Sequence, residues 1–177
     1  MQGLETKFHQ PGAVALDGEA VIRGYASVFG VVDQGGDQVM PGAYTASLRR
    51  LKAAGGKVRM LWQHDQAQPI GVWDEVVEDA HGLRVTGRLL TEVEKGREAA
   101  ALMAAGAVDG LSIGYRTLKS EKRTDGGRNL IELELWEVSL VTFPMLPVAR
   151  VAAKTSVPGL IGTFAQGIEA ARLALRG

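Results

Sequence analysis

The chain has no cysteine, so acid–base or nucleophilic chemistry must rest on its histidine, serine and acidic side chains. Of the three histidines, His64 follows the apolar run Met60-Leu61-Trp62 and stands beside Asp65. A histidine at a strand end can serve as a general base. A partly buried histidine satisfied by a backbone group would leave the same trace. His9 lies in a mixed N-terminal stretch and His81 in a predicted turn, and both are expected to be solvated. Ser112 sits within Leu111-Ser112-Ile113-Gly114-Tyr115. Strand alternation sends Ser112 and Gly114 to the face opposite Leu111 and Ile113, and a glycine there lets a substrate come close. That suits a nucleophile, and equally a small serine in a tightly packed sheet. The segment is not a strand-to-helix nucleophile elbow, because no helix is indicated after it.

Glu137 and Ser139 share a face of a long strand pattern, between Leu135 and Val141. A carboxylate on such an apolar face must be paired, because its ionised form is costly to bury. It can orient a histidine or belong to a structural ion pair. Asp33 and Asp37 flank a glycine pair, but not at the spacing of a calcium loop. No His-x-x-x-His pair, phosphate loop or dinucleotide fingerprint occurs, so neither a metal nor a nucleotide cofactor is expected.

The elements that must position these groups follow from periodicity. Val21, Ile22, Tyr25, Val28 and Phe29 suggest a strand, and 33–37 a loop. Pro41-Gly42 opens a predicted helix carrying Tyr44, Leu48 and Leu51, closed by Gly55-Gly56. Residues 57–65 alternate, with Val58, Met60, Trp62 and His64 on one side. Strands are predicted over 71–77 and 82–90 about a turn at 79–82. Thr91 and Glu94 match a capping box, so a helix should run on to Ala105 and stop at Gly106. Strand patterns cover 111–118 and 130–143, with a turn signal at Asp125-Gly126-Gly127 between them and Pro144 and Pro147 after them. In the second, alternation puts Ile131, Leu133, Leu135, Glu137, Ser139 and Val141 on one side. Residues 155–159 read as a linker, and Phe164, Ile168, Ala171 and Leu175 as the stripe of an amphipathic helix. The expectation is an α+β domain over 1–154, built on a mostly antiparallel sheet that can close on itself, with an appendage over 155–177.

Composition bounds the function. Twenty Lys+Arg balance twenty Asp+Glu in 177 residues, so a nucleic-acid binder working through charge is not expected. No apolar run approaches the roughly 18 residues of a membrane span, and Met1 to Gln10 lacks the apolar core of a signal peptide. A soluble cytoplasmic protein is therefore expected.

Five blocks then occur in a familiar order: Gly36 to Tyr44, Met60 to Asp65, Pro69-Ile70-Gly71, Gly106 to Tyr115, and Trp136 to Pro144. In these, from about Ile22 to Val151, the sequence resembles the tailed-phage prohead (capsid maturation) proteases, distant relatives of the herpesvirus assemblin serine proteases. The resemblance implies a serine endopeptidase on a small, mostly antiparallel β-barrel flanked by helices, working without a cofactor. It implies Ser112 as nucleophile and His64 as general base. The third position, held in that superfamily by histidine or an acidic residue, is best matched by Glu137. Ser139 is a second hydroxyl on the Glu137 face and is not expected to be the nucleophile. By analogy, the turn from Phe143 to Arg150 is a candidate source of oxyanion donors. The implied substrates are capsid and scaffold proteins cut inside a procapsid in the bacterial host cytoplasm. Self-cleavage and a homodimer or higher self-association are implied as well, with no nucleic-acid or membrane partner. A phage and a domesticated phage-like particle remain alternatives. So do a catalytically silent assembly factor with the same fold and an unrelated β-barrel binding module.

Overall fold

Strand-favouring residues at period two recur through most of this chain, and the computed structural model, which describes residues 20–151, turns them into one seven-stranded sheet. In chain order the elements are β1 (Val21–Val28), β2 (Asp37–Val39), α1 (Thr45–Ala53), β3 (Arg59–Trp62) and β4 (Asp65–Glu78). Then come β5 (Gly82–Leu89), α2 (Glu94–Ala104), β6 (Gly110–Lys122) and β7 (Arg128–Val141). The strand order is β1-β5-β4-β3-β7-β2, with β6 along the other edge of β7. The proposed appendage over 155–177 and His9 lie outside the described residues.

Most neighbours are antiparallel, as expected, but the sheet is mixed. β2 and β3 both run parallel to β7, against Arg128 to Leu130 and Glu137 to Leu140 respectively. They occupy different stretches of one edge, because β6 pairs along the whole of the other. Buried backbone donors need partners. In the gap between β2 and β3, the amides of Leu133 and Leu135 are satisfied by the Ala43 carbonyl (2.9 Å) and the buried Ser47 hydroxyl (2.9 Å). Helix α1 therefore completes this edge of the sheet. At the β2 end, Arg128 grips Asp37 with two nitrogens, Nε to Oδ1 at 2.8 Å and the other to Oδ2 at 2.5 Å.

The sheet curls until β1 and β6 approach each other. The segment 149–151 joins them: Leu111 donates to the Ala149 carbonyl, Val151 to that of Asp109, and Val151 bridges Gly24. A Cβ on Gly24 would lie 2.5 Å from the Arg150 carbonyl oxygen, so only glycine permits this closure. Ile22, Met60, Ile70, Leu83, Val85, Leu111, Leu130, Leu133, Leu135, Val138 and Leu140 fill the interior. Helix α2 packs on β4 and β5.

Two local expectations are corrected. The Thr91–Glu94 capping box does not form: α2 begins at Glu94 with Val93 as its N-cap and no side-chain cap. One β4 carbonyl and the preceding turn hold the chain here, since Leu90 donates to the Ile70 carbonyl and Val93 to that of Leu90. Strict alternation also fails in β7. Leu133 and Leu135 are in the core, and so are Val138 and Leu140, three and five residues on from Leu135. The β6–β7 register explains this. Gly114 pairs Glu137 while Tyr115 pairs Leu135, so Trp136 is the extra residue of a β-bulge. The bulge separates Leu135 from Glu137, which alternation alone would have kept on one face.

Candidate active site

Beyond the bulge, Glu137, Ser139 and Val141 turn away from the interior that receives Val138 and Leu140. Ladder partners share a face, so Gly114 and Ser112, opposite Glu137 and Ser139, belong with them. The Glu137 side chain lies across Gly114: a Cβ there would sit 2.0 Å from Oε1. Its carboxylate thus crosses from β7 onto β6. Same-face residues on a strand are about 7 Å apart, so the carboxylate stands over the face of β6 that carries Ser112, about one such step away.

His64 arrives on a hairpin. The sequence pattern extends the strand to Asp65, but the chain reverses earlier: Trp62 pairs with Asp65, and Gln63 and His64 take positive φ of 52° and 63°. Two left-handed residues in a two-residue loop are the geometry of a type I′ turn, which favours Asn-Gly and penalises a glutamine and a histidine. Neighbours hold the unfavourable pair in place. Gln63 donates its amide to the Leu140 carbonyl (2.9 Å), and its side chain bonds both the Thr142 hydroxyl (2.8 Å) and the Thr142 amide (3.3 Å). The His64 amide donates to Ser139 Oγ (3.1 Å).

The His64 ring meets Glu137, not the adjacent Asp65. Nδ1 lies 2.5 Å from Glu137 Oε1. A carboxylate accepts, so Nδ1 donates, and in the neutral imidazole the lone pair is then on Nε2. Ser139 Oγ donates to the other carboxylate oxygen, Oε2, at 2.6 Å. Asp65 serves its own turn: the Ala67 amide and the Gln68 side chain donate to it, which holds its carboxyl below the usual range. His81 packs edge-on against Tyr25, with centroids 4.6 Å apart.

Two recesses flank the group. A groove of about 640 Å³ is lined by His64, Glu137, Gly114, Arg59 and Trp136. A smaller cavity of about 140 Å³ is lined by Ser112, Ser27, Asp33, Asp37, Met145 and Leu146, and Tyr115 borders both. Ser112 is 7 % exposed, and its hydroxyl bonds to none of the described side chains, His64 included. Nucleophile–base contacts in free enzymes are often long and tighten with substrate. In the turn after Phe143, the Ala149 and Arg150 amides are taken by the Leu146 and Val148 carbonyls, and Arg150 pairs with Asp109. Among the described residues no group of three His, Cys, Asp or Glu side chains could hold a metal ion.

The structure therefore brings His64 and Glu137 into contact, and the ladder register sets Ser112 on the same face, in the neighbouring recess. Sequence reasoning missed the part played by Ser139; its only trace was the two-residue spacing from Glu137. A curled sheet with two helices is a fold shared with the herpesvirus proteases. The protease of Kaposi's sarcoma-associated herpesvirus (KSHV) matches with a TM-score of 0.50 at 14 % identity, over 74 % of this chain and 63 % of that one. The bacteriophage T4 capsid assembly protease matches at 0.60 and 15 % identity, over 76 % of this chain and 90 % of that one. The chain belongs to the caudovirus prohead serine protease family, whose model covers residues 6–158. It is 34 % identical over 145 residues to the prohead protease of Enterobacteria phage HK97, across 80 % of this chain. It spans 63 % of that relative's length.

Proposed function

We propose that this chain is a serine endopeptidase of capsid maturation, with Ser112 as nucleophile, His64 as general base and Glu137 as the group that orients and stabilises the imidazole. The observation that carries the reading is the 2.5 Å hydrogen bond from His64 Nδ1 to Glu137 Oε1, made above Gly114 on the strand that bears Ser112. It fixes the tautomer a base needs, with Nε2 free to accept a proton. In the reaction, Ser112 Oγ bonds to the scissile carbonyl carbon as its proton passes to Nε2. The tetrahedral intermediate collapses when the C–N bond breaks and His64 returns that proton to the leaving amine. Water, deprotonated by His64, then releases the acid and restores Ser112. Glu137 stays ionised and stabilises the transient imidazolium.

Family membership supports capsid and scaffold proteins as substrates, cut within a procapsid in the bacterial host cytoplasm, with self-cleavage. The remaining parts of the reading are self-association as a dimer or higher oligomer and a C-terminal appendage over 155–177 distinct from the barrel. The experiment is co-expression with the capsid protein of the same particle, alongside labelling by a fluorophosphonate. Ser112→Ala and His64→Ala should abolish both cleavage and labelling while the thermal transition persists. A folded, wild-type chain that neither labels nor cleaves would instead favour a silent assembly factor. Loss of labelling in Ser139→Ala but not in Ser112→Ala would move the nucleophile.

A further inference from the structure

We propose that Ser139 is a positioning residue of this site, a single buried hydroxyl that locks the acid and the base to each other. The inference rests on the Ser112–His64–Glu137 reading above. A serine hydroxyl has one proton to give and lone pairs to accept with, and here both are committed. The proton goes to Glu137 Oε2 at 2.6 Å, and the oxygen receives the His64 amide at 3.1 Å. Ser139 is fully buried with its proton committed to Glu137, whereas Ser112 lines a cavity.

The consequence is a closed ring of contacts. His64 Nδ1 bonds one carboxylate oxygen, Ser139 bonds the other, and Ser139 also bonds the backbone of His64. A carboxylate held at one oxygen can swing about its terminal torsion; held at both, it presents Oε1 to Nδ1 in one orientation. The amide bond matters for a separate reason. His64 sits at φ +63°, a conformation its own chemistry disfavours, and persists there because surrounding contacts over-determine it. Ser139 is one of those contacts, and it lies opposite Ser112 in the β6–β7 ladder, so it references the base to the strand bearing the nucleophile.

A structural serine on helix α1, bonded to the β7 backbone, provides the comparison. Ser47 is equally buried and accepts the Leu135 amide, but touches none of the site. Ser139→Ala and Ser47→Ala should lose similar amounts of thermal stability. Ser139→Ala should lower the maximal rate of inactivation by a fluorophosphonate about 10- to 100-fold, with the reagent's binding constant unchanged within about twofold, since orientation acts on the reacting complex. Ser47→Ala should leave both within about twofold. Proton NMR gives a readout independent of turnover. The far-downfield His64 Nδ1 proton should be seen in the wild type and in Ser47→Ala, and be exchange-broadened in Ser139→Ala. Ser139→Cys, which keeps the shape but donates weakly, should fall between and serves if the alanine variant does not fold. An unchanged inactivation rate and an unchanged Nδ1 proton in Ser139→Ala, or in Ser139→Cys in its place, overturn the inference. So does a rate loss in Ser47→Ala equal to that in Ser139→Ala. If Ser112→Ala still reacts with the phosphonate, the underlying reading fails, while the Nδ1 proton still decides whether Ser139 holds His64 and Glu137 together.

Discussion

Adding one methyl group at residue 114 should disable the site from a position that carries no functional group. In Gly114→Ala the new Cβ would lie 2.0 Å from Glu137 Oε1, 2.7 Å from its Cδ and 2.8 Å from its Cγ. Ordinary contact begins near 3.4 Å, so the carboxylate must retreat by about 1.4 Å, over half the length of its 2.5 Å bond to His64. The β6 backbone cannot yield instead, because it is laddered to β7 at this very pair. Overpacking of this kind costs about 1–3 kcal/mol. A misplacement of about 1 Å costs on the order of 100-fold in rate, and complete loss of the orienting group up to about 10⁴-fold. Gly114→Ala should therefore slow fluorophosphonate labelling by at least about 100-fold in a chain that still melts cooperatively. Because the methyl acts through Glu137, the double variant with Glu137→Ala should label no more slowly than Glu137→Ala alone. A folded Gly114→Ala that labels at the wild-type rate, or strictly additive losses in the double variant, would refute the reasoning.

Glu137→Gln should be milder than Ser112→Ala in capsid-protein cleavage, because an amide can still accept from His64 Nδ1 but carries no charge to stabilise the imidazolium. Leu140→Ala, at a fully buried core position, should cost about 2–5 kcal/mol in denaturant unfolding. Asp79 is held below the usual carboxyl range, chiefly by the Tyr25 hydroxyl and also by the His81 and Gly82 amides. Its contribution to stability is present above its unfolded value of about 3.9 and is lost as pH falls through the lowered folded value. Tyr25→Phe should flatten the acid limb of a stability–pH curve, and an unchanged limb would count against that hydrogen bond. A chain ending at Lys154 should keep its thermal transition, and a large downward shift would show that 155–177 belongs to the core.

Much of the fold lay open in the sequence where one force dominates. The strands of β1, β5 and β6, and the stops at Gly55 and Gly106, follow from apolar alternation and from glycines that adopt positive φ, as the two glycines do here. What stayed hidden depends on partners distant in the chain. The bulge at Trp136 is a register decision between β6 and β7, and it alone separates Glu137 from Leu135. The reversal at Gln63-His64 has no turn chemistry of its own; Leu140, Thr142 and Ser139 impose it. Parallel pairing of β2 and β3 with β7 likewise leaves no local mark, since a strand's pattern does not record its neighbour's direction. At the site, His64, Ser112 and Glu137 could be named by residue type and resemblance, and Glu137 as the partner of His64 by resemblance, but the turn and the bulge that bring these two together across 73 residues could not be read from either.

The position of β7 also bears on when activity can arise. It is the last strand of the described residues, yet β2, β3 and β6 all pair with it. A growing polypeptide that has already produced His64 and Ser112 holds them on a β3–β4 hairpin and an unpaired β6, with nothing to bring the two together. Domains fold as units during synthesis, and pairings between distant segments come late. The final strand must slot between its neighbours before His64 meets Glu137, so on the proposed reading half-made chains on the ribosome would carry no partial activity, and competence would arrive in one step.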